Sequence, residues 1–144
     1  MLSESAVELY RILRLRNYQD MFVRIKEKDG SLSATEAFAV DVIYLLGSPT
    51  ISDFAQALGI SQPNATYKAN NLSAKGYITK SVSKDDKREI RLSVADNFYS
   101  YFNAHAPFIS DAVKKVEKQF SASQLDTFSD VLESFIHALK FEEE

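Results

Sequence analysis

Apolar residues recur at helical spacing along most of this 144-residue chain, and one central stretch breaks the rhythm. Near the start, Leu9, Ile12, Leu13, Met21, Phe22 and Ile25 keep the helical period and predict a long helix. Ser5–Ala–Val–Glu8 has the spacing of a capping box, so this helix is expected to open at Ser3 or Ser5 and run to about residue 28. A second box, Ser33–Ala–Thr–Glu36, opens a helix that runs to Leu46 and carries Phe38, Val42, Ile43, Leu45 and Leu46. It is apolar over more than one face, which predicts burial.

The rhythm then tightens. Thr50 or Ser52 caps a short helix with Phe54, Ala55 and Leu58 inward, and Gly59 closes it where left-handed backbone is cheap. Ile60 pins the turn, Ser61 caps the next helix, and Pro63 sits in its first turn, where a missing N–H costs little. That helix runs to about Lys75, with Ala65, Ala69 and Leu72 inward and Gly76 as its stop. Two β-rich runs follow, Tyr77–Val82 and Glu89–Leu92, split by the charged Ser83–Arg88. Helix, turn, helix and hairpin outline a winged helix-turn-helix: a mostly α fold with a small β-hairpin wing and with DNA as its default partner. Beyond it, Phe98, Tyr101, Phe102, Phe108, Ile109, Val113 and Val116 predict one helix from about Ala95 to Phe120, kinked at Pro107. Ser121–Ala–Ser–Gln124 opens a last helix with Leu125, Phe128, Val131, Leu132, Phe135, Ile136 and Leu139 on its stripe, and Glu142–Glu144 should fray. A winged segment does not need this many flanking amphipathic helices. Residues 3–28 and 95–140 either thicken a monomer core or meet a second chain.

Charge sharpens the picture. The chain is acidic, with formal net charge −3, yet from Ser61 to Arg91 seven Lys and Arg face three carboxylates. No acidic residue occurs between Ser61 and Ser81. A solvated helix face ordinarily carries Glu/Lys pairs. This one presents Gln62, Asn64, Thr66, Tyr67, Lys68 and Asn71, whose amides, hydroxyls and ammonium suit base edges and phosphates. At the hairpin tip Lys84 and Lys87 suit phosphates, while Asp86 is spaced to hold Arg88 by a charge-assisted hydrogen bond. A guanidinium held there suits a narrow A·T-rich minor groove. Asp85 is read as solvated. The candidate DNA-binding set is therefore Ser61, Gln62, Asn64, Thr66, Tyr67, Lys68, Asn71, Lys84, Asp86, Lys87 and Arg88.

Other chemistry finds little footing. There are no cysteines, which excludes disulfides and thiolate metal sites. No run of 18 apolar residues predicts a membrane span, and the first residues do not form a signal segment, so a cytoplasmic location is the default. No glycine-rich phosphate loop, paired-histidine motif or Ser-His-Asp arrangement is visible, which argues against an enzyme and against a cofactor. His105 and His137 sit on different predicted helices and read as core-edge or interface side chains, with a zinc site as the weaker reading.

The junction Leu72–Ser–Ala–Lys–Gly76–Tyr77–Ile78 and the wing Asp86–Lys–Arg88–Glu–Ile–Arg–Leu92–Ser93 resemble the MarR family of transcriptional regulators. The family pattern is Leu–x–x–Lys–Gly–Tyr/Leu–Ile, an Asp–x–Arg wing, and a strand ending Leu–Thr. Ser93 for Thr, Asp96 for Gly and Ser73 for Glu are departures. The resemblance covers nearly the whole chain as a single domain, with residues 33–93 as the DNA-binding lobe. It implies a homodimer with intertwined terminal helices, a pseudo-palindromic double-stranded DNA operator and a repressor's role. It also implies room for a small-molecule effector between the dimerisation helices and the lobe. Tyr18, Phe22, Phe38 and Tyr44, with Tyr10 and Phe102, are candidates to line that space, and each serves as well in a core. The alternative is a winged-helix protein-interaction module that does not bind DNA; the outward polar set and Arg88 favour DNA.

Overall fold

The structure is a computed structural model that describes residues 1–27, 32–102 and 107–140, with the backbone alone for residues 26 and 27. Its elements are α1 (Leu2–Glu27), α2 (Ala34–Leu46), α3 (Ile51–Leu58), α4 (Gln62–Ala74), β1 (Ile78–Val82), β2 (Ile90–Val94), α5 (Asp96–Tyr101), α6 (Pro107–Glu117) and α7 (Ala122–Leu139). They form two compact units, Met1–Ala104 and His105–Glu144.

The first unit contains the winged lobe, and local chemistry sets most of its corners. Thr50 caps α3: its hydroxyl accepts from the Asp53 N–H at 3.1 Å, and the Asp53 carboxylate accepts from the Thr50 N–H at 3.2 Å. Gly59 closes α3 at φ +64, with the Ile60 N–H on the Ala55 carbonyl and the Gly59 N–H on that of Gln56. This paired bonding is a Schellman turn, and it lets Ile60 pack on the core. Ser61 caps α4 through the Asn64 N–H. Gly76 ends α4 the same way at φ +80, where the Tyr77 N–H reaches the Leu72 carbonyl. A Cβ at Gly76 would stand 2.9 Å from the Asn97 amide nitrogen, whereas at Gly59 it would meet open space. Gly76→Ala should therefore cost about 1–2 kcal/mol for the left-handed backbone plus the displacement of Asn97, and Gly59→Ala only the backbone part. Urea unfolding checks this; equal midpoints for Gly76→Ala and the parent would contradict it.

Phe54, Phe98, Tyr101, Ile43, Leu72, Leu92 and Val40 fill the centre of the lobe. Rings stack where α2 meets α5: Tyr44 lies 4.8 Å from Phe98, and Phe98 lies 4.6 Å from Phe102. The Arg24 guanidinium donates to the Tyr101 carbonyl at the end of α5, where a cation offsets the negative helix terminus. Near it Met21 is buried and Ile25 packs on the core, while Val7, Leu9, Tyr10, Ile12 and Leu15 remain exposed.

Several sequence expectations are corrected. The Ser5–Glu8 box does not form. Helix α1 opens at Leu2, so Ser5 donates its N–H to the Met1 carbonyl within a regular turn and cannot take the extended backbone of a cap. Helix α2 is buried through Ala37, Ala39, Val40 and Ile43, over more than one face as expected, but Phe38, Leu45 and Leu46 of its apolar set stay exposed. The helix expected over residues 95–120 is divided. Phe102 turns extended after α5, and Pro107 begins α6, where its fixed φ and missing N–H suit a helix start. Strand β2 continues to Val94, two residues past the expected end.

In the second unit the Ser121–Gln124 box forms as read, but neither α6 nor α7 buries a residue. Ile109, Val113, Phe128, Val131, Phe135, Ile136 and Leu139 are all exposed. His137 lies in the last turn of α7. Gly30, Asn103, His105 and Glu142–Glu144 lie outside the described residues. Among the described residues no helix is long and apolar enough to cross a membrane, and no group of three or more His, Asp or Glu is placed to hold a metal.

Asp41 on α2 is half-buried, and burial pushes its carboxyl above the usual carboxylate range. The fold thus favours the protonated acid. The resulting destabilisation is absent below the unfolded value of about 3.9 and complete once the pH passes the folded value. Asp41→Asn should be more stable than the parent at neutral pH, and the gain should vanish below about pH 4. A gain that persists unchanged into acid would contradict this origin.

Candidate nucleic-acid interface

Three elements meet at an open groove of about 350 Å³. Ile51 and Ser52 come from the start of α3, Gln62, Pro63 and Thr66 from the start of α4, and Arg88, Glu89 and Ile90 from the wing. Both helices present their N-terminal ends, where the helix dipole favours anions beside the Thr50, Asp53 and Ser61 caps.

The wing is held beside these helices by bonds that span more than 40 residues of sequence. Strands β1 and β2 pair antiparallel from Ile78↔Val94 to Val82↔Ile90. At the other edge of β2, Arg91 bridges to Thr50, and the Leu92 N–H donates to the Pro49 carbonyl at 2.8 Å. The Arg91 guanidinium donates to the Ser48 carbonyl at 3.2 Å, and the Ser93 hydroxyl to the Ser48 hydroxyl at 3.1 Å. Ser48 holds a left-handed φ of 62 there, an uncommon conformation for a residue with a Cβ. The chain before α3 thus acts as a third edge of the sheet, a contact with no local signal in the sequence.

At the tip the Ser83 N–H donates to the Glu89 carbonyl at 2.9 Å, and the Glu89 N–H to the Asp86 carbonyl at 3.0 Å. Asp86 Oδ1 accepts the Arg88 N–H at 2.9 Å, an Asx turn, and touches the Arg88 Nε only at 3.5 Å. The sequence pattern suggests that Asp86 holds the guanidinium. Its shorter bond goes to the backbone, so Asp86 chiefly shapes the loop from which Arg88 projects. The Arg88 side chain is 92% exposed.

On α4 the inward residues Ala65, Ala69 and Leu72 are wholly buried. Ser61, Gln62, Asn64 and Tyr67 are exposed, and Thr66, Lys68 and Asn71 are half-buried. Gln62, Thr66 and Arg88 share the groove, while Asn64, Tyr67, Lys68 and Asn71 lie on α4 away from its wall. Lys84 and Lys87 are exposed at the tip. Sequence reasoning missed Ser52, Pro63 and Glu89 as groove residues; a hydroxyl in the first turn of a capped helix was the available signal for Ser52. It also missed Asn70, whose side chain accepts from Lys80 of β1. Lys75 pairs with Glu36 at 2.9 Å, tying the end of α4 to the start of α2. Burial pushes the Glu36 carboxyl up, but the Lys75 ammonium and the Ser33 donors outweigh it and hold the group below its ordinary value.

The lobe and its wing fall within a known family pattern: residues 32–90 match the MarR family. The match covers the winged lobe. No curated protein matches the sequence. Among solved structures, it is similar to a mutant MepR from a multidrug-resistant S. aureus clinical isolate, with a TM-score of 0.61 at 16% identity over 94% of this chain and 97% of that one. It is also similar to Streptococcus pneumoniae FabT in complex with DNA, with a TM-score of 0.53 at 22% identity over 94% and 99% of the two chains. Wild-type apo MarR from E. coli gives a TM-score of 0.51 at 15% identity over 88% and 95%. These likenesses establish a shared winged-helix fold.

Within this winged-helix fold the candidate effector residues are spread out. Tyr18 borders an open groove on α1 with Arg11 and Arg14, which none of the other three lines. Phe22 and Phe38 are exposed, and Tyr44 packs on Phe98 and Tyr99. Tyr10 carries the Arg14 guanidinium 5.3 Å above its ring, and Phe102 is buried.

Proposed function

We propose that this protein is a MarR-family DNA-binding transcription regulator, a repressor that grips a pseudo-palindromic operator as a homodimer in the cytoplasm. The observation that carries the reading is the groove shared by Gln62 and Thr66 of α4 and Arg88 of the wing. In this reading α4 enters the major groove, its early residues reach base edges, and Arg88 enters the adjacent minor groove. Ser52 and the two helix N-termini receive phosphate oxygens, as do Lys84 and Lys87. The similar FabT structure is a DNA complex, which supports the partner class. The dimer is supported by the exposed apolar residues of α1, α6 and α7, because a two-fold operator needs a two-fold protein. Tyr18, Phe22, Phe38 and Tyr44 stay the candidate contacts for a small-molecule effector.

Titration of a random-sequence duplex across salt concentrations tests the phosphate contacts. The logarithm of the affinity should fall linearly with that of salt, and Lys84→Ala or Lys87→Ala should each flatten the slope by about 1 per protomer. A protein that ignores duplex DNA at low salt would instead be the winged-helix interaction module.

A further inference from the structure

Thr66 is placed in the groove one helical turn after Gln62, and both share it with the wing residue Arg88. Its hydroxyl donates to the Gln62 carbonyl at 3.0 Å. A threonine has one O–H proton, and this one is used inside the helix. In this arrangement Thr66 presents no free donor to a base edge. Guanine O6 and N7, adenine N7 and thymine O4 all need a donor. What Thr66 offers the groove is its methyl group, with an oxygen able only to accept. The major groove carries one apolar group, the C5-methyl of thymine.

We infer that Thr66 is a specificity-determining residue that selects a thymine in each half-site by contact between its methyl group and the thymine C5-methyl. The inference rests on the DNA-binding reading above and adds which chemical group on the base is read. Gln62, on the same face, keeps its own amide for a hydrogen-bonded neighbour. Its carbonyl serves the helix, so the two residues divide the work of apolar and polar readout. The back-bond also narrows the Thr66 rotamers, which lowers the entropy cost of presenting the methyl.

The test uses the full-length protein and a duplex enriched by it from a random pool. Each thymine of that duplex is replaced in turn by deoxyuridine, which lacks only the C5-methyl. For the parent, one replacement per half-site should weaken binding roughly three- to fivefold, the worth of one buried methyl group. Thr66→Ser keeps the oxygen and loses the methyl, so it should bind that thymine and uracil alike. Thr66→Val keeps the methyl and loses the oxygen, so it should keep the discrimination. If Ser keeps it, the Thr66 methyl is not what reads the thymine methyl and the inference is wrong. It is equally wrong if no thymine shows a methyl effect that Thr66→Ser removes. If the pool yields no enriched duplex at all, the DNA-binding reading itself fails, and the two failures are distinct.

Discussion

Removing the residues after Ser121 should weaken operator binding roughly 10²- to 10⁴-fold, because each lobe would then have to hold its half-site alone. The expectation comes from the second unit. Its helices have strong apolar stripes, and among the described residues of one chain they bury nothing. Phe128, Val131, Phe135, Ile136 and Leu139 stand exposed on α7, and Val7, Leu9, Tyr10 and Ile12 on α1. Exposed apolar stripes like these mark interaction surfaces. The proposed occupant is a second copy, which an inverted-repeat operator requires. The truncated chain should run as monomer or aggregate in light scattering. The single change Phe135→Glu should give a folded monomer with the same loss of affinity, since it puts a carboxylate into the seam without touching the lobe. A full-length chain that is monomeric at micromolar concentration would contradict the dimer.

Arg88→Ala should cost about 1.5–3 kcal/mol per protomer, the range for charge-assisted hydrogen bonds, and should flatten the preference for A·T steps beside each half-site. The tip geometry adds a finer expectation. The short Asp86 contact is to the Arg88 N–H at 2.9 Å, and the guanidinium stands at 3.5 Å. Asp86→Asn keeps an acceptor for that N–H and should retain most of the affinity. Asp86→Ala removes the acceptor, loosens the loop and should reproduce part of the Arg88→Ala defect. Equal damage from Asn and Ala would mean that Asp86 acts through its charge. If Arg88→Ala binds A·T- and G·C-flanked duplexes as the parent does, the wing is only a solvated hairpin.

Much of the lobe was legible because its corners are local. Ser33, Thr50, Ser61 and Ser121 all cap the helices assigned to them, and Ala65, Ala69 and Leu72 all face the core. Caps and helical periods involve residues a few positions apart, so they are visible in the chain itself. The attachment of Ser48–Thr50 to β2 was not, since those bonds join residues more than 40 apart. The pairing of Lys80 with Asn70 likewise depends on where the hairpin folds back. The apolar period continues across Pro107 and so suggests one kinked helix where there are two. Proline at the start of a helix and proline within one look alike to a periodicity argument. Of the candidate site, Gln62, Thr66 and Arg88 stand out in the sequence by residue type. That they share one groove with the start of α3 required the fold.

The most direct test of the interface is selection of bound duplexes from a random pool by the full-length protein. The account predicts an enriched inverted repeat whose half-site centres lie about one helical turn, roughly 10 base pairs, or a multiple of it apart, with A·T-rich flanks where Arg88 enters. A pool that returns with no enriched sequence, or with a single asymmetric site, would contradict it.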